Sequence, residues 1–236
     1  MRILVIPDIH LKPWMFRRAA YLMEKGVAEK AVCLMDIPDD WDQDVNLDLY
    51  KETFDKAIWF QNMYPDTLWC YGNHDLSYVW LKQESGFSYF AIGMVNDCLQ
   101  ELRSVLPDER QMAYVHRIDN VLFVHGGLTR GFVERYASDI DYDDIDAVVE
   151  RINGLGCDEM WENTSPIWFR PQFSNDEMYQ SEKLLQVVGH TPVERFIVKN
   201  NVLSCDVFST YQTLDPIGTQ EFLLFGTANW HYGGLK

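Results

Sequence analysis

The sequence predicts an α/β fold whose first third forms a parallel sheet. Three short apolar runs, at residues 3–6, 31–35 and 67–71, have the length of buried strands. The two segments between them, residues 15–25 and 47–58, carry apolar residues at helical spacing. Strands that alternate with helices in this way produce a parallel sheet covered by crossover helices.

The remaining two thirds of the chain are less regular. Apolar runs at residues 121–124 and 185–188 predict two further buried strands, and residues 144–152 have the spacing of an amphipathic helix. Turn and aromatic residues predict an irregular, aromatic-rich cap around residues 153–183. No repeat or linker interrupts the chain, so residues 1–236 are interpreted as a single domain. The last predicted strands suggest an antiparallel finish and lie at residues 197–198, 202–205 and 221–225.

Composition and charge disfavour several classes of partner. The length of 236 residues and the apolar content of 47% suit one large globular domain. A net charge of −16 disfavours nucleic acid and anionic membrane surfaces, which both attract Lys and Arg. The five cysteines lack any Cys-x-x-Cys pair and indicate a reducing cytosol. No segment resembles a signal peptide or a membrane span, so we expect a cytoplasmic protein.

Five of the apolar runs end in residues that can bind metals. Loops after the strands of an α/β sheet converge, so residues far apart in sequence can share one site. Four of the clusters, taken alone, are explained by a satisfied loop, a helix cap or a turn. The tetrad Gly72-Asn73-His74-Asp75 after a strand is more unusual, and the joint order of all five clusters favours a common site. Carboxylate, amide and imidazole donors without a thiolate suit Mn²⁺, Fe or Zn²⁺, and a bridging carboxylate can hold two cations roughly 3.5–4 Å apart. The clusters are Asp8-x-His10, Asp36-x-x-Asp39, Gly72-Asn73-His74-Asp75, His125 and His190.

The motifs DxH, DxxD, GNHD, VHGG and GHT resemble those of the calcineurin-like metallophosphoesterase superfamily. The resemblance is strongest to its phosphoprotein-phosphatase branch, which includes bacterial Ser/Thr phosphatases and diadenosine tetraphosphatases. The motifs run in order from Asp8 to Thr191, about four-fifths of the chain. The resemblance implies a metallophosphatase-type β-sandwich of mixed sheets flanked by helices, which refines the parallel-sheet prediction.

The same resemblance implies a centre of two divalent cations, with Mn²⁺ favoured and Fe or Zn²⁺ as alternatives. Asp206 stands where the family often has an Asp after the strand that follows GHT, and it is expected to support the ligands without being one. The expected ligands of the first cation are Asp8, His10 and Asp36. The expected ligands of the second cation are Asn73, His125 and His190, together with Asp36, which would bridge the two cations.

The resemblance also implies catalytic roles. Water activated between the cations would attack phosphorus, and His74, oriented by Asp39, would protonate the leaving oxygen. A carboxylate partner raises the basicity of imidazole and keeps this proton available near neutral pH. Arg170, in a Trp-x-Arg motif, and Asn73 are expected to contact the phosphate.

One loop departs from the family pattern. The family motif Gly-Asp-x-x-Asp-Arg reads Met-Asp-Ile-Pro-Asp-Asp at residues 35–40, so the Gly and a phosphate-binding Arg are both missing. Asp40 stands in the place of the Arg and is expected to turn outward, because its carboxylate would repel a phosphate dianion. Arg170 is then expected to bind the phosphate in place of the missing Arg.

Three functions fit these residues. The first is hydrolysis of phosphomonoesters on a protein or small molecule, with phosphoserine and phosphothreonine proteins as candidate substrates. The second is hydrolysis of dinucleoside polyphosphates or other nucleotides, with the aromatic residues at 161–173 stacking a base. The third is a non-catalytic binding scaffold of the same fold. The complete ligand set and His74 argue against the scaffold, and the missing Arg argues mildly for it.

Overall fold

The computed structural model describes residues 1–228 and 230–235, and it consists of two mixed β-sheets that pack face to face between helices. This is the sandwich that the motif resemblance implies. The strands are β1 (Arg2–Ile6), β2 (Lys30–Cys33), β3 (Leu68–Cys70), β4 (Met112–Ala113), β5 (Val115–Ile118), β6 (Val121–Val124), β7 (Leu185–Val188), β8 (Ile197–Lys199), β9 (Val202–Ser204), β10 (Phe222–Gly226) and β11 (His231–Leu235). The helices are α1 (Trp14–Glu24), α2 (Leu47–Met63), α3 (Asn73–Trp80), α4 (Ile92–Ser104), α5 (Arg130–Tyr136), α6 (Ile145–Asn153) and α7 (Cys157–Met160).

The first sheet contains the parallel strands predicted from the first third of the chain. Its strand order is β11-β10-β1-β2-β3-β4, and β1 to β4 run parallel to one another. Helices α1 and α2 connect the first three strands. Strand β10 pairs antiparallel with β1, and β11 pairs antiparallel with β10. The antiparallel finish is confirmed at this edge.

The second sheet has the strand order β5-β6-β7-β9-β8. Strands β6, β7 and β9 are parallel, and the outer strands β5 and β8 run antiparallel to their neighbours. Strands β8 and β9, formed by the runs predicted at residues 197–198 and 202–205, pair antiparallel with each other as expected, and β9 in addition pairs parallel with β7. A turn at Asn200 and Asn201, both with positive φ, reverses the chain between β8 and β9 and places β9 beside β7.

Strand β1 is buried on both of its faces. Ile3 and Val5 lie in the core between the sheets with Phe123 and Phe225, whereas Leu4 belongs to the larger core that also includes the residues of the helices. Burial on both faces explains why this strand has a continuous apolar sequence rather than an alternating one.

Several elements are not predicted from the sequence patterns above, namely α3, α4, α5, α7, β4, β5 and β11. Helix α3 begins at Asn73, so the Gly-Asn-His-Asp tetrad forms the first turn of a helix. Strand β11 is largely exposed and contains two adjacent glycines, which removes the alternating pattern of a half-buried strand. Within the described ranges no helix is long and apolar enough to cross a bilayer.

Between α6 and β7 the chain forms α7 and a series of turns that contact the loop after β6. The amide of Gly126 donates a hydrogen bond of 2.6 Å to the carbonyl oxygen of Pro166. A β-carbon at position 126 would lie 2.7 Å from the carbonyl oxygen of Phe169. The close approach of the two backbones therefore requires glycine at this position.

Candidate metal centre

Loops from both sheets meet at one end of the sandwich. The loops after β1, β2 and β3 come from the first sheet, and those after β6, β7 and β9 come from the second. Eight of the nine predicted site residues lie on these loops or on the first turn of α3, and Arg170 reaches them from the turns before β7. In chain order the loops carry Asp8 and His10, Asp36 and Asp39, Asn73 and His74, His125, His190 and, as the expected supporting residue, Asp206.

Asp75 fixes the geometry of two of these loops, although no role is assigned to it from the sequence. Its Oδ2 atom accepts hydrogen bonds from the amides of Asp36 at 2.8 Å and Gly72 at 3.1 Å, and Oδ1 accepts one from Ile37 at 3.0 Å. These bonds hold the backbone of Asp36 at φ 42°, a left-handed conformation that few residues other than glycine adopt. Burial raises the pKa of Asp75 to about 7.

The carboxylate of Asp36 lies at the centre of the cluster. Oδ1 accepts a hydrogen bond of 2.9 Å from the amide of His74, and Oδ2 lies 3.1 Å from Nε2 of His125 and 3.8 Å from Nε2 of His10. Burial alone would raise the pKa of Asp36, but the facing imidazoles of His125 and His74 hold it well below its usual range. Asp36 therefore presents an ionised carboxylate to both sides of the site.

Among the residues that the structure describes, two groups of side chains have the spacing of metal ligands, and Asp36 belongs to both. The ligand atoms within each group lie no more than 4.8 Å from one another. The first group also contains His74, so the geometry allows this residue to approach a cation as well as to act in proton transfer. The groups are His10, Asp36 and His74, and Asp36, His125 and His190.

His125 is oriented so that one ring nitrogen faces the site. Its Nδ1 atom lies 2.8 Å from the carbonyl oxygen of Leu34 and donates to it, because a carbonyl can only accept. The Nε2 atom then faces Oδ1 of Asn73 at 3.2 Å as well as the Asp36 carboxylate. Burial disfavours the imidazolium, yet Asp36 and Asp8 raise the pKa of His125 to about 9. The surrounding carboxylates therefore favour a positive charge at this position.

Asp8 and His190 are joined across the two sheets and retain unused ligand atoms. The amide of His190 donates to Oδ2 of Asp8 at 2.8 Å. Within the described part of the chain, Oδ1 of Asp8 and Nε2 of His190 are buried without a hydrogen-bond partner. Burial and the nearby His125 lower the pKa of His190 well below its usual value, so its ring is neutral. A carboxylate oxygen and a neutral imidazole nitrogen left unpaired in this way fit a divalent cation.

His10 faces the central carboxylate of Asp36 with one of its ring nitrogens. Its Nδ1 atom lies 2.9 Å from the carbonyl oxygen of Asp39, to which it donates, so that Nε2 is directed toward Asp36. Burial lowers the pKa of His10, and its ring is neutral. A neutral ring with a fixed tautomer is the form of histidine that binds metals.

His74 and Asp39 form the pair expected from the motif resemblance. Nδ1 of His74 lies 2.9 Å from Oδ2 of Asp39, while Oδ1 of Asp39 accepts hydrogen bonds from Tyr50 at 2.7 Å and from Tyr78. Burial opposes protonation, but Asp36 and the bond to Asp39 raise the pKa of His74 to about 9. The two tyrosines are missed from the sequence because each lies on the buried face of a helix, where an aromatic residue is usually part of the core.

Arg170 lies at the pocket beside these groups. The pocket has a volume of about 210 Å³, and its lining includes His10, Asp36, His74 and His190. Nη1 of Arg170 donates to the carbonyl oxygen of His190 at 3.0 Å and to Oγ1 of Thr191 at 3.2 Å. The guanidinium is therefore held at the rim through the backbone of a predicted metal ligand.

Asp40 does not turn outward, so that expectation is wrong. It lines the pocket, and Oδ2 of its carboxylate lies 3.0 Å from Nζ of Lys12. Its Oδ1 atom accepts a hydrogen bond of 2.9 Å from the amide of Trp41. The ion pair neutralises the carboxylate, which removes the reason for it to avoid the site. Lys12 is a pocket residue that the sequence motifs do not reveal, since it follows the DxH motif at a position that reads as an ordinary surface lysine.

Asp206 is buried close enough to Asp8 to affect its charge and does not belong to either ligand group. Its Oδ2 atom accepts a hydrogen bond of 2.8 Å from the hydroxyl of Ser209, and Oδ1 accepts one of 3.2 Å from the Ser209 amide. Burial and the charge of Asp206 raise the pKa of Asp8 well above its usual range. Positive charge in the site would relieve this repulsion.

Comparison with known proteins agrees with the motifs. A family model described as calcineurin-like phosphoesterase matches residues 1–218. No curated protein sequence matches the chain significantly.

Several solved structures are similar in fold. A cold-active protein-tyrosine phosphatase from the psychrophile Shewanella sp. superposes with a TM-score of 0.62 at 16% identity, covering 100% of this chain and 80% of that chain. Another structure of a cold-active protein tyrosine phosphatase gives a TM-score of 0.58 at 17% identity, and the match covers 99% of this chain and 76% of that chain. A metallophosphoesterase from Sphaerobacter thermophilus superposes with a TM-score of 0.49 at 15% identity, and the match covers 100% of this chain and 89% of that chain. At these identities the first two likenesses show the fold alone.

Proposed function

This chain belongs to the calcineurin-like phosphoesterase family and is a metal-dependent phosphoester hydrolase, and on that premise we propose that it hydrolyses phosphomonoesters with two divalent cations. The observation that carries the proposal is the position of Asp36, whose carboxylate is shared by both groups of potential ligands. A carboxylate that belongs to two groups of potential ligands can be shared by two neighbouring cations, as in two-metal hydrolases.

The unpaired atoms of Asp8 and His190 support a full ligand set. We propose Mn²⁺ as the metal, with Fe or Zn²⁺ as alternatives, because the donors are carboxylate, amide and imidazole groups without a thiolate. Asp8 and Asp36 neutralise only half of the charge of two divalent cations, so a loaded site would attract a phosphate in a chain of net charge −16. The proposed ligands are Asp8, His10 and Asp36 for one cation and Asp36, Asn73, His125 and His190 for the other.

When bound, the cations activate water and offset the charge that develops on the phosphate oxygens. The protein supplies the remaining steps. His74 donates a proton to the leaving oxygen, and Asp39 holds its ring in the required orientation through the Nδ1 atom. Arg170 donates hydrogen bonds to the phosphate from the rim of the pocket, alongside the amide of Asn73.

Phosphoproteins are the first substrate class to consider. Phosphotyrosine joins phosphoserine and phosphothreonine as a candidate, because two solved structures of similar fold are of cold-active protein-tyrosine phosphatase. A nucleotide hydrolase is the second candidate. Trp161 and Trp168 pack edge to face against each other, and Trp168 also contacts His190. Trp41, which is 44% exposed and lines the pocket, is the better placed ring for stacking a base.

The proposal is tested on protein that is stripped with a chelator and reloaded with manganese. Elemental analysis should give about two metal ions per chain, and the reloaded protein should hydrolyse p-nitrophenyl phosphate. A panel of phosphopeptides, diadenosine tetraphosphate and nucleotides then separates the two substrate classes. Metal content near zero together with no turnover of any substrate would support the non-catalytic scaffold instead.

A further inference from the structure

We propose that Lys12 binds the phosphoryl oxygens of the substrate in the pocket that it lines together with Arg170, and that Asp40 positions it there. This inference rests on the proposed function and specifies its substrate class as a phosphate dianion, the form found in phosphomonoesters. It starts from the unusual environment of the lysine. Lys12 lines the pocket although only 9% of the residue is exposed. A lysine is seldom buried to this extent unless its charge has a defined partner.

The ammonium group is held by two described acceptors. Nζ donates to the carbonyl oxygen of His10 at 3.0 Å and to Oδ2 of Asp40 at 3.0 Å. An ammonium group has three N–H donors, so one donor remains for a ligand in the pocket. The Asp40 carboxylate is itself fixed by the amide of Trp41, and the position of the lysine is therefore defined before substrate binds.

Lys12 and Arg170 are anchored in the same manner. Each donates to the main-chain oxygen of a predicted metal ligand, Lys12 to His10 and Arg170 to His190. His10 follows a strand of the first sheet, and His190 follows a strand of the second. The side chains of Lys12 and Arg170 are thus anchored to loops of different sheets and line the same pocket. A phosphate bound there would receive hydrogen bonds from two positively charged side chains, which favours a doubly charged, terminal phosphate over a singly charged diester.

The alternative is that the Lys12–Asp40 ion pair only ties the loop after β1 to the loop after β2. Removal of the lysine alone would leave Asp40 unpaired in the pocket and confuse the two explanations. We therefore choose the double variant Lys12→Met/Asp40→Asn, which retains the apolar stem and leaves no buried charge. Lys12→Arg tests rescue by a different cation, and Lys25→Met, at an exposed position after α1, serves as the matched control.

The measurement is the affinity of the manganese-loaded protein for inorganic phosphate by calorimetry, together with the rates on p-nitrophenyl phosphate and bis-p-nitrophenyl phosphate. The double variant should bind phosphate about tenfold more weakly, as expected for a lost charge-assisted bond. Its KM for the monoester should rise by a similar factor, while diester hydrolysis changes less. Metal content and melting temperature should equal those of Lys25→Met, and Lys12→Arg should retain phosphate binding within about threefold.

Unchanged phosphate affinity in the metal-loaded double variant would overturn the inference. Loss of metal, or equal loss toward monoester and diester, would also overturn it, because both indicate that the ion pair only ties the loops together. If the unmodified protein hydrolyses no phosphoester, the proposed function fails, and the calorimetric comparison still tests Lys12 as an anion-binding group.

Discussion

Nδ1 of His74 lies 2.9 Å from one carboxylate oxygen of Asp39, and the other oxygen accepts hydrogen bonds from two tyrosine hydroxyls. Tyr50 and Tyr78 contribute these hydroxyls from helices α2 and α3. The carboxylate is thus fixed on both sides, and the ring of His74 takes a single orientation toward the pocket. The proposed proton donor is therefore positioned by Asp39, which is in turn held by two fully buried tyrosines.

His74→Asn should lower kcat by roughly 10²–10⁴ with metal content preserved, because a general acid is lost. The loss should be smaller for p-nitrophenyl phosphate than for an alkyl phosphate, since a good leaving group needs less protonation. Tyr78→Phe should show the same dependence on the leaving group with a smaller loss. A His74→Asn protein that also loses metal would identify the histidine as a ligand.

Asp36→Asn should weaken both metal sites, whereas Asp8→Asn should mainly weaken one. The reason is that Asp36 belongs to both ligand groups, whereas Asp8 is proposed to bind only the cation that His10 also binds. Calorimetric titration of manganese into each stripped variant measures the two affinities. Loss of one metal in both variants, with the second affinity unchanged, would contradict the bridging position of Asp36.

Gly72→Ala should abolish high-affinity metal binding. A β-carbon at this position would overlap with Oδ1 of Asp36 and lie 2.9 Å from Cε1 of His125. Gly93→Ala is the matched control, because its β-carbon would meet open space on helix α4 and should stabilise the helix by about 0.5–1 kcal/mol. Metal content and melting temperature of the two variants give the comparison. Normal metal content in Gly72→Ala would mean that the loop tolerates a different geometry.

Arg170→Ala should lower kcat/KM on a phosphomonoester. The decrease should correspond to a loss of about 1.5–3 kcal/mol in transition-state stabilisation, which is the value of a charge-assisted hydrogen bond. Because Arg170 is held by the backbone oxygen of His190 and not by its ring, metal content should not change. Steady-state kinetics of the metal-loaded variant test the prediction. Parental values of kcat and KM would remove Arg170 from the phosphate site.

His116 should make folding stability depend on pH. Burial lowers its pKa to about 4, and Nε2 of the ring lies 3.0 Å from the carbonyl oxygen of Trp69. In the unfolded chain the pKa is about 6.5, so the unfolded chain binds the proton first as pH falls. The neutral ring contributes fully to the free energy of unfolding above pH 6.5. As the pH falls from 6.5 to 4 this contribution is lost progressively, and the free energy of unfolding decreases by about 3 kcal/mol.

His116→Gln keeps a donor for Trp69 and removes this titration. Urea unfolding at pH 7 and pH 4.5, with chelator present so that metal release does not contribute, gives the free energy of unfolding for both proteins. The variant should lose less stability between the two pH values than the parent. Parallel losses would show that other groups account for the whole pH dependence.

The clustering of the proposed ligands could be predicted from the sequence because each follows a short apolar run that forms a buried strand. Asp8 after β1 and His190 after β7 illustrate this relationship, since the end of a parallel strand fixes where the next residues lie. The pattern gives strand ends and residue types, and these are sufficient to predict a common site. It contains no information on which side chains in the neighbouring loops turn toward that site.

The groups that support the site could not be found in this way. Tyr50 has the spacing of a core residue, and only the folded chain shows that its hydroxyl reaches Asp39. Lys12 and Asp40 are 28 positions apart, and their contact depends on the positions of two irregular loops. Helix α4 is a different case. Its buried residues Val95, Cys98, Leu99 and Leu102 have helical spacing in the sequence, so this helix could have been predicted.

Strand β1 is enclosed by β2, which follows soon after it, and by β10, which lies near the other end of the sequence. Arg2 is opposite Gly226 in the β1–β10 ladder, so this pairing closes a loop that contains almost the whole sequence. Closing so long a loop delays the pairing and slows folding. Until β10 arrives, one edge of β1 remains open to another chain. We therefore expect refolding yield to fall with protein concentration, because association at this open edge competes with the arrival of β10.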